Sequence, residues 1–192
     1  MTAEFKAALT SPPADADLRL EPLDERHHAD LKAACAQDAD IWPLYSASYD
    51  PDHFDAAFAA LIADPKRIPF AIILGDRLVG MSAYLGLDPG RQTVEIGNTY
   101  IVPAVRGTGL NGRVKRLMLG HAFAGGVRRV EFRIDVRNAR SQAAVAKIGG
   151  VRAGRRHLAA IFDVVRSRPF RCRLQRADRR SRAYSVCNTS RR

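Results

Sequence analysis

Hydrophobic and polar residues alternate along the chain with two different periods. A period of two over residues 18–21 predicts a short strand, whereas apolar residues three to four apart predict two helices after it. Asp24 would cap the first helix, and Asp52 would cap the second, which ends at Pro65. The loop between these helices carries three aromatic residues, Trp42, Tyr45 and Tyr49.

Three strands follow in a row, at residues 70–74, 79–87 and 93–102. Gly75-Asp76 and Asp88-Pro89-Gly90 lie between them and are typical turn sequences, so the pattern predicts an antiparallel meander. Pro103 stops the third strand.

A glycine-bearing loop at residues 106–112 then leads into an amphipathic helix that ends at Gly125. Strict alternation predicts a strand at residues 129–136, and a last helix is predicted over residues 138–148. A strand, a glycine loop, a helix and a strand in this order indicate one βαβ crossover. We therefore expect an α/β domain with a mixed, mostly antiparallel sheet flanked by helices.

The chain has 192 residues, 46% hydrophobic and 27% charged, which is typical of a single globular domain. No apolar run approaches the roughly 18 residues that would span a membrane. The cysteines, Cys35, Cys172 and Cys187, are scattered and form no C-x-x-C pair, so the sequence indicates neither a zinc site nor a disulfide framework. We expect a protein of the reducing cytoplasm that binds neither a metal nor a membrane.

The net charge of +11 is concentrated at one end. Residues 1–154 hold 19 Lys and Arg against 18 Asp and Glu, whereas residues 155–192 hold 12 Arg and only two Asp. Basicity therefore points to nucleic acid only through the last 38 residues. We expect a disordered leader over residues 1–16, a domain over 17–154 and an atypical Arg-rich segment over 155–192.

The glycine loop allows two interpretations. Gly107-x-Gly109-x-x-Gly112 matches the dinucleotide fingerprint, but here it follows a meander instead of a first buried parallel strand. Starting one residue earlier, the same stretch gives Arg106-x-x-Gly109-x-Asn111. Unpaired amides at a helix start, together with the helix dipole, bind phosphate without side-chain charge, so the second interpretation also predicts a phosphate site.

The second pattern resembles the (Q/R)-x-x-G-x-(G/A) loop of the GNAT acyltransferases. Other segments are similar to the RimJ/RimL-type branch of that superfamily: residues 94–100, Pro103-Ala104, 106–111, 130–132, and 135–141 leading to Ala144-Val145 and Gly149. The chain departs from the branch at Asn98, where relatives usually have an aromatic residue. Asn111 replaces the usual Gly or Ala, as often in this branch. The resemblance covers about residues 18–154 and implies a GNAT fold whose crossover forms the cofactor loop.

The resemblance also implies a site for acetyl-coenzyme A (acetyl-CoA) as co-substrate. The backbone of Ile101 and Val102 would pair with the pantetheine arm, and one of their amides would polarise the thioester carbonyl. Asn138 and Ser141 would contact the pantetheine or the thiol. The pyrophosphate would lie on the loop made by Arg106, Gly107, Thr108, Gly109, Leu110, Asn111 and Gly112.

Glu95 is the candidate base, because a period of two places it on one strand face with Gly97, Thr99 and Ile101. The alternative is a solvated or salt-bridged strand carboxylate. No general acid is assigned, since no tyrosine lies between Tyr100 and Tyr184. The aromatic residues Trp42 and Tyr45 would line the acceptor pocket, or else pack over the sheet edge.

The resemblance stops after Gly154, where two closing strands would follow in this family, and no alternating pattern recurs there. One hypothesis is that residues 155–192 are translated out of frame; the alternative is a genuine basic tail that binds nucleic acid or acidic partners. Under the first hypothesis this segment would be protease-sensitive, and the bare sheet edge would favour aggregation or a homodimer.

Three functions follow as hypotheses. The first is an acetyl-CoA-dependent N-acetyltransferase acting on an amine of a small molecule or of a protein N-terminus, impaired if the closing strands are missing. The second is a non-catalytic CoA-binding protein of GNAT-like fold. The third is an RNA-binding protein that uses its basic tail.

Overall fold

The computed structural model describes residues 2–11, 13–156 and 159–165. The helices of this part of the chain are α1 (Thr2–Thr10), α2 (His28–Cys35), α3 (Phe54–Ala63), α4 (Leu110–Ala124) and α5 (Ala139–Lys147). Short 3₁₀ helices span Glu25–His27, Ala39–Leu44 and Pro103–Val105. The strands are β1 (Ala14–Asp15), β2 (Leu18–Pro22), β3 (Ile68–Leu74), β4 (Arg77–Asp88), β5 (Thr93–Ile101), β6 (Arg129–Asp135), β7 (Val151–Arg156) and β8 (Ala159–Val165).

The described strands form one sheet in the order β1-β2-β3-β4-β5-β6-β8-β7. Strands β3, β4 and β5 form the predicted antiparallel meander. Strands β5 and β6 pair in parallel through helix α4, which confirms the βαβ crossover and the mixed, mostly antiparallel sheet. Within the described residues, no helix is long and apolar enough to cross a membrane.

Helices cover both faces of the sheet, and buried tyrosines tie them to it. The Tyr84 hydroxyl on β4 donates to the Met118 carbonyl on α4 at 2.7 Å. The Tyr100 hydroxyl on β5 donates to the Ala34 carbonyl on α2, also at 2.7 Å. These bonds fix α4 against one face and α2 against the other, with apolar side chains filling both layers.

A β-bulge at Asn98 changes which face the end of β5 presents. Ile96 lies opposite Tyr84 and therefore faces α4. Thr99 also faces α4, since its hydroxyl accepts a hydrogen bond from Lys115 on that helix. Ile96 and Thr99 are three residues apart, and in a strand such residues share a face only where the strand carries an extra residue. The extra residue is Asn98, which has a positive φ of 49° and lies beside the register shift.

The bulge overturns one expectation from the sequence. Glu95 precedes Ile96 and so lies on the α2 face, whereas Thr99 lies on the α4 face. The prediction that a period of two carries Glu95, Thr99 and Ile101 on one face is therefore wrong. Period two holds only while the ladder is regular, and the extra residue reverses the alternation after Gly97.

Strands β5 and β6 diverge after a short parallel ladder. They pair only from Thr93 with Arg129 to Glu95 with Glu131. Beyond this point β5 continues to Ile101, while β6 remains paired with β8 on its other side. The divergence leaves a gap between β5 and β6, which we call the strand gap, next to the start of α4.

Both ends of the described chain differ from the sequence expectations. Residues 2–10 form α1, and Leu9 of this helix is fully buried near Gly125. The expectation that residues 1–16 are a disordered leader is therefore wrong for residues 2–10. The expectation that closing strands are missing is also wrong, because β7 and β8 complete the sheet and bury Ala160 and Phe162. Their alternation is weak, with three arginines in β7, which explains why the pattern was missed. Residues 166–192 lie outside the described residues, so the frame hypothesis stays a prediction there.

Candidate active site

The glycine loop turns the chain from the 3₁₀ helix Pro103–Val105 into α4. Gly107 and Gly109 have φ values of 81° and 88°, in the left-handed region that side chains with a Cβ rarely adopt. A Cβ at either position would meet no atom within 4 Å. The loop therefore requires glycine for its backbone conformation, and the space above it is open.

The amides of residues 107–112 make no hydrogen bond to any acceptor in the described part of the chain. The next amide along the chain, that of Arg113, is bonded and donates to the Gly109 carbonyl at 3.1 Å. The free amides lie at the N-terminus of α4, where the helix dipole adds positive potential. This arrangement suits a phosphate or pyrophosphate group.

The side chain of Arg106 points away from this row of amides. Its Nε donates to the Ile101 carbonyl at 2.7 Å, and its Nη1 bonds to the Asp38 carboxylate. Its guanidinium carbon lies 5.5 Å from the centroid of the Tyr100 ring. The Arg106 amide donates to the Pro103 carbonyl at 3.0 Å. Arg106 thus anchors the end of β5 and begins the predicted phosphate loop without a free amide of its own.

The backbone at the end of β5 offers one donor of the two predicted. The Val102 amide donates to the Val79 carbonyl at 2.9 Å, and the Val102 carbonyl accepts from Val105 at 3.3 Å. Both groups of Val102 are therefore already bonded. Because antiparallel residues alternate in direction, the neighbouring Ile101 points its amide away from β4, into the strand gap.

Tyr45 reaches the same edge of β5. Its hydroxyl donates to the Thr99 carbonyl at 2.6 Å, and burial raises the pKa of this phenol. Trp42 is only 3% exposed and packs on Tyr45, Tyr49 and Tyr100 with ring centroids 5.0 to 5.5 Å apart. Trp42 is thus a packing residue in this structure, whereas Tyr45 borders the gap.

An open cleft of about 500 Å³ lies beside the Arg106 anchor. Asn138 lines it and caps α5, since its Oδ1 accepts the Ser141 amide at 2.9 Å. Arg137 donates to the Pro43 carbonyl at 2.9 Å and ties the start of α5 to the aromatic loop. The cleft is lined by Asp38, Asp40, Ile41, Leu44, Arg106, Arg137, Asn138, Ala139 and Arg140.

Glu95 lies at the closed end of the strand gap, in the last parallel pair. Its side chain is 14% exposed, and its Oε2 lies 3.4 Å from the Arg133 Nε. Burial raises the pKa of Glu95, the Arg133 charge opposes this, and the Glu131 carboxylate adds to it. The ion pair is what the structural alternative predicts, while a raised pKa in this position suits a base.

Lys115 is a polar residue of this region that the sequence analysis did not single out. It is 7% exposed, and its ammonium donates to the Thr99 hydroxyl. Burial lowers the pKa of Lys115 to about 7, against a smaller opposing effect of Glu95. One signal was available, because Lys115 lies three residues before Met118 and seven before Ala122, on the apolar face of the helix.

Two comparisons by sequence identify similar proteins. Residues 17–151 match the family model of the acetyltransferase (GNAT) domain. An uncharacterized N-acetyltransferase of Mycobacterium tuberculosis is 30% identical over 110 residues, which cover 57% of this chain and 69% of that protein.

Solved structures show the same architecture. A protein of Chromobacterium violaceum, described as a probable acetyltransferase of the GNAT family, superposes with a TM-score of 0.72 at 28% identity, covering 81% of this chain and 91% of that one. RimL, the ribosomal L7/L12 α-N-protein acetyltransferase, was solved with coenzyme A. It has a TM-score of 0.70 at 15% identity, over 81% of this chain and 98% of RimL. At that identity the likeness to RimL concerns the fold alone.

Proposed function

The chain belongs to the GNAT acetyltransferase family, and we propose that it transfers the acetyl group of acetyl-CoA to an amine of a small molecule or of a protein N-terminus. The observation that carries the proposal is the row of free amides over residues 107–112 beside the strand gap. A phosphate site next to an open strand edge suits a ligand with a pyrophosphate and a long amide-bearing arm.

The described residues fit this co-substrate. The loop amides and the α4 dipole would hold the pyrophosphate without a cation, which agrees with the inward turn of Arg106. The arm would lie along β5, where the Ile101 amide points into the gap. The described residues contain no group of three or more His, Cys, Asp or Glu side chains that could hold a metal ion.

For this reaction the protein must position the thioester and the amine and remove a proton from the ammonium group. Acetyl-CoA supplies a thioester: a C–N bond forms to the acceptor amine, the C–S bond breaks, and the thiolate takes up a proton. The Ile101 amide would donate to the carbonyl oxygen, where negative charge develops. Glu95 would accept the proton that the ammonium must lose, directly or through water.

The acceptor would enter through the cleft beside α5 and the aromatic loop. Asp38 and Asp40 give this cleft carboxylates, and the neighbouring Tyr45 contacts β5 beside the strand gap. The name of RimL, whose fold is shared, describes an enzyme that acts on a protein α-amine. Both a small amine and a protein N-terminus therefore remain in the proposal, and we place the reaction in the cytoplasm.

An amine panel tests the proposal. The purified chain is incubated with acetyl-CoA and single amines, including polyamines, amino acid amides and short peptides with free N-termini, and thiol release is followed. We expect release above the rate without amine for one class. Tight binding of acetyl-CoA in calorimetry without release for any amine would favour the non-catalytic alternative, and absence of binding would reject both.

A further inference from the structure

A buried ammonium lies where β5 and β6 separate. Lys115 extends from α4, donates to the Thr99 hydroxyl on β5, and lies 5.4 Å from the centroid of the Phe132 ring on β6. The parallel ladder ends at Glu95 and Glu131, one residue before Phe132. The Lys115 side chain therefore touches both strands at the closed end of the strand gap.

The hydrogen bonds around Thr99 satisfy the backbone of the bulge. The Thr99 and Ser82 hydroxyls are 2.7 Å apart, and both lie within reach of the Gly97 carbonyl, at 3.3 and 3.4 Å. An ammonium only donates, so Thr99 must accept from Lys115. The Thr99 hydrogen then points onward, to Ser82 or to the Gly97 carbonyl. Lys115 thus sets the direction of a small network behind the bulge.

Thr99 is held from both faces of the sheet. Its hydroxyl is bound from the α4 face by Lys115, and its carbonyl is bound by Tyr45 from the aromatic loop. The next residue but one is Ile101, whose amide points into the gap. The register shift confines the irregular part of β5 to Asn98 and Thr99, and the ladder resumes with the Met81–Tyr100 and Gly80–Ile101 pairs. The conformation of Thr99 therefore sets the direction in which the backbone enters these pairs, and with it the direction of the Ile101 amide.

An uncharged residue would be easier to bury at position 115, because taking an ammonium out of water is costly unless it is well paired. The described neighbours give Lys115 one hydroxyl acceptor, one aromatic face and the more distant charge of Glu95. Packing alone does not explain a lysine at this position. Among the described residues, the one hydrogen-bond acceptor of Lys115 is the Thr99 hydroxyl.

We propose that Lys115 is a positioning residue for acyl transfer: through Thr99 it fixes the bulge of β5 and thereby aims the Ile101 amide at the thioester carbonyl. This inference rests on the proposed function, because it needs a thioester in the strand gap. It concerns how the amide is oriented, and Lys115 itself touches no reacting atom.

Kinetics of four variants provide the first test. Lys115→Met keeps the length of the side chain without its donors, and Thr99→Val keeps the shape without the acceptor. We expect each to lower kcat at least tenfold while KM for acetyl-CoA changes less than threefold, since the phosphate loop is untouched. Thr99→Ser should restore most of kcat. The matched control, Lys66→Met, removes an exposed lysine and should leave both constants unchanged.

The double variant Lys115→Met/Thr99→Val separates a shared role from two independent ones. If both residues act through one bond, the double variant should be no slower than the worse single variant. Wild-type kcat in a folded Lys115→Met, or multiplicative losses in the double variant, would overturn the proposal. Should Lys115→Met fail to fold, the comparison of kcat in Thr99→Val with kcat in Thr99→Ser tests the proposal instead, and equal values would overturn it.

Backbone amide NMR makes the result independent of turnover. Lys115→Met should shift the amide resonances of residues 97–101, with Ile101 among them, whereas Lys66→Met should not. A wild-type chain that releases no thiol with any amine would defeat the proposed function, yet the resonances would still report on the bulge. Unchanged shifts at Thr99 and Ile101 would reject the positioning role, whatever the activity.

Discussion

The guanidinium of Arg106 is bound to the carboxylate of Asp38, 68 residues earlier in the chain. Arg106 begins the glycine loop, and Asp38 immediately precedes the 3₁₀ helix Ala39–Leu44, which walls the cleft. Because the same guanidinium holds the Ile101 carbonyl, one side chain connects the phosphate loop, the end of β5 and the acceptor side. The relative placement of these three parts depends on this ion pair.

Asp38→Asn should therefore destabilise the fold as well as the site. It leaves a guanidinium that is 23% exposed without its charged partner, and we expect a loss of about 1–2 kcal/mol in the free energy of unfolding. Urea unfolding measures this. Asp40→Asn is the control, since Asp40 is exposed on the same 3₁₀ helix and should change stability by less than about 0.5 kcal/mol. Equal effects of the two variants would show that the ion pair contributes no specific stability.

The sheet meander and the crossover were predictable because their signals are local. Period two in residues 129–136, turn sequences around Gly75 and Gly90, and a glycine loop before an amphipathic helix each depend on neighbouring residues only. The glycine loop precedes α4 as the pattern predicts, and Gly109 at the start of that helix has a positive φ. The family resemblance supplied the rest of the expected fold.

The parts that failed depend on contacts between distant residues. The bulge at Asn98 reverses which side chains of β5 face α4 and which face α2. The residue pattern of β5 itself does not predict this bulge. Strand β8 lies between β6 and β7, which is an order that only the folded sheet reveals. The arginines of β7 obscure the alternation of apolar and polar residues in that strand. The inward turn of Arg106 needs Asp38 as its partner, which only the tertiary structure reveals.

Gly109→Val should weaken acetyl-CoA binding at least tenfold, which corresponds to about 1.4 kcal/mol. A Cβ there would meet no protein atom, so the expected cause is the positive φ of 88°, which a β-branched residue resists, together with crowding of the bound phosphate. Isothermal calorimetry measures the affinity. Gly120→Val on the exposed side of the same helix is the matched control, because it adds the same side chain away from the loop. Unchanged affinity in folded Gly109→Val would remove this loop from the site.

Glu95→Gln should lower kcat about a hundredfold or more and leave acetyl-CoA binding nearly intact, if Glu95 is the base. Glu131→Gln is the matched control where kcat no longer depends on pH, since Glu131 is the parallel partner of Glu95 on β6 and is similarly buried, 19% exposed against 14%. Steady-state kinetics with the best amine gives the comparison. Wild-type rates in Glu95→Gln would leave Glu95 as a salt-bridged strand carboxylate and the base unassigned.

The pH profile should respond to the neighbours of Glu95 in opposite directions. A base works when ionised, so a raised pKa of Glu95 places the acidic limb of kcat/KM above the ordinary glutamate value. Glu131→Gln removes a negative neighbour and should move that limb to lower pH. Arg133→Met removes a positive neighbour and should move it to higher pH, by a small amount because this arginine is half-exposed. Shifts of the same sign would show that another group controls the limb.

Two truncations locate the end of the folded domain. A chain ending at Val165 keeps β8, and we expect its unfolding free energy to stay within about 0.5 kcal/mol of the full chain, because residues 166–192 carry ten arginines and few apolar residues. A chain ending at Gly154 loses β8, which pairs with β6 over seven residues and buries Phe162. It should lose more than about 3 kcal/mol, the cost of deleting one buried phenylalanine side chain, and should aggregate through the bare edge of β6. Urea unfolding measures the stability of both truncated chains, and light scattering measures their aggregation. A salt-dependent RNA gel shift that the full chain gives and the chain ending at Val165 does not would assign RNA binding to the tail. If that chain instead unfolds as readily as the one ending at Gly154, the Arg-rich segment is part of the folded domain, and the out-of-frame hypothesis is wrong.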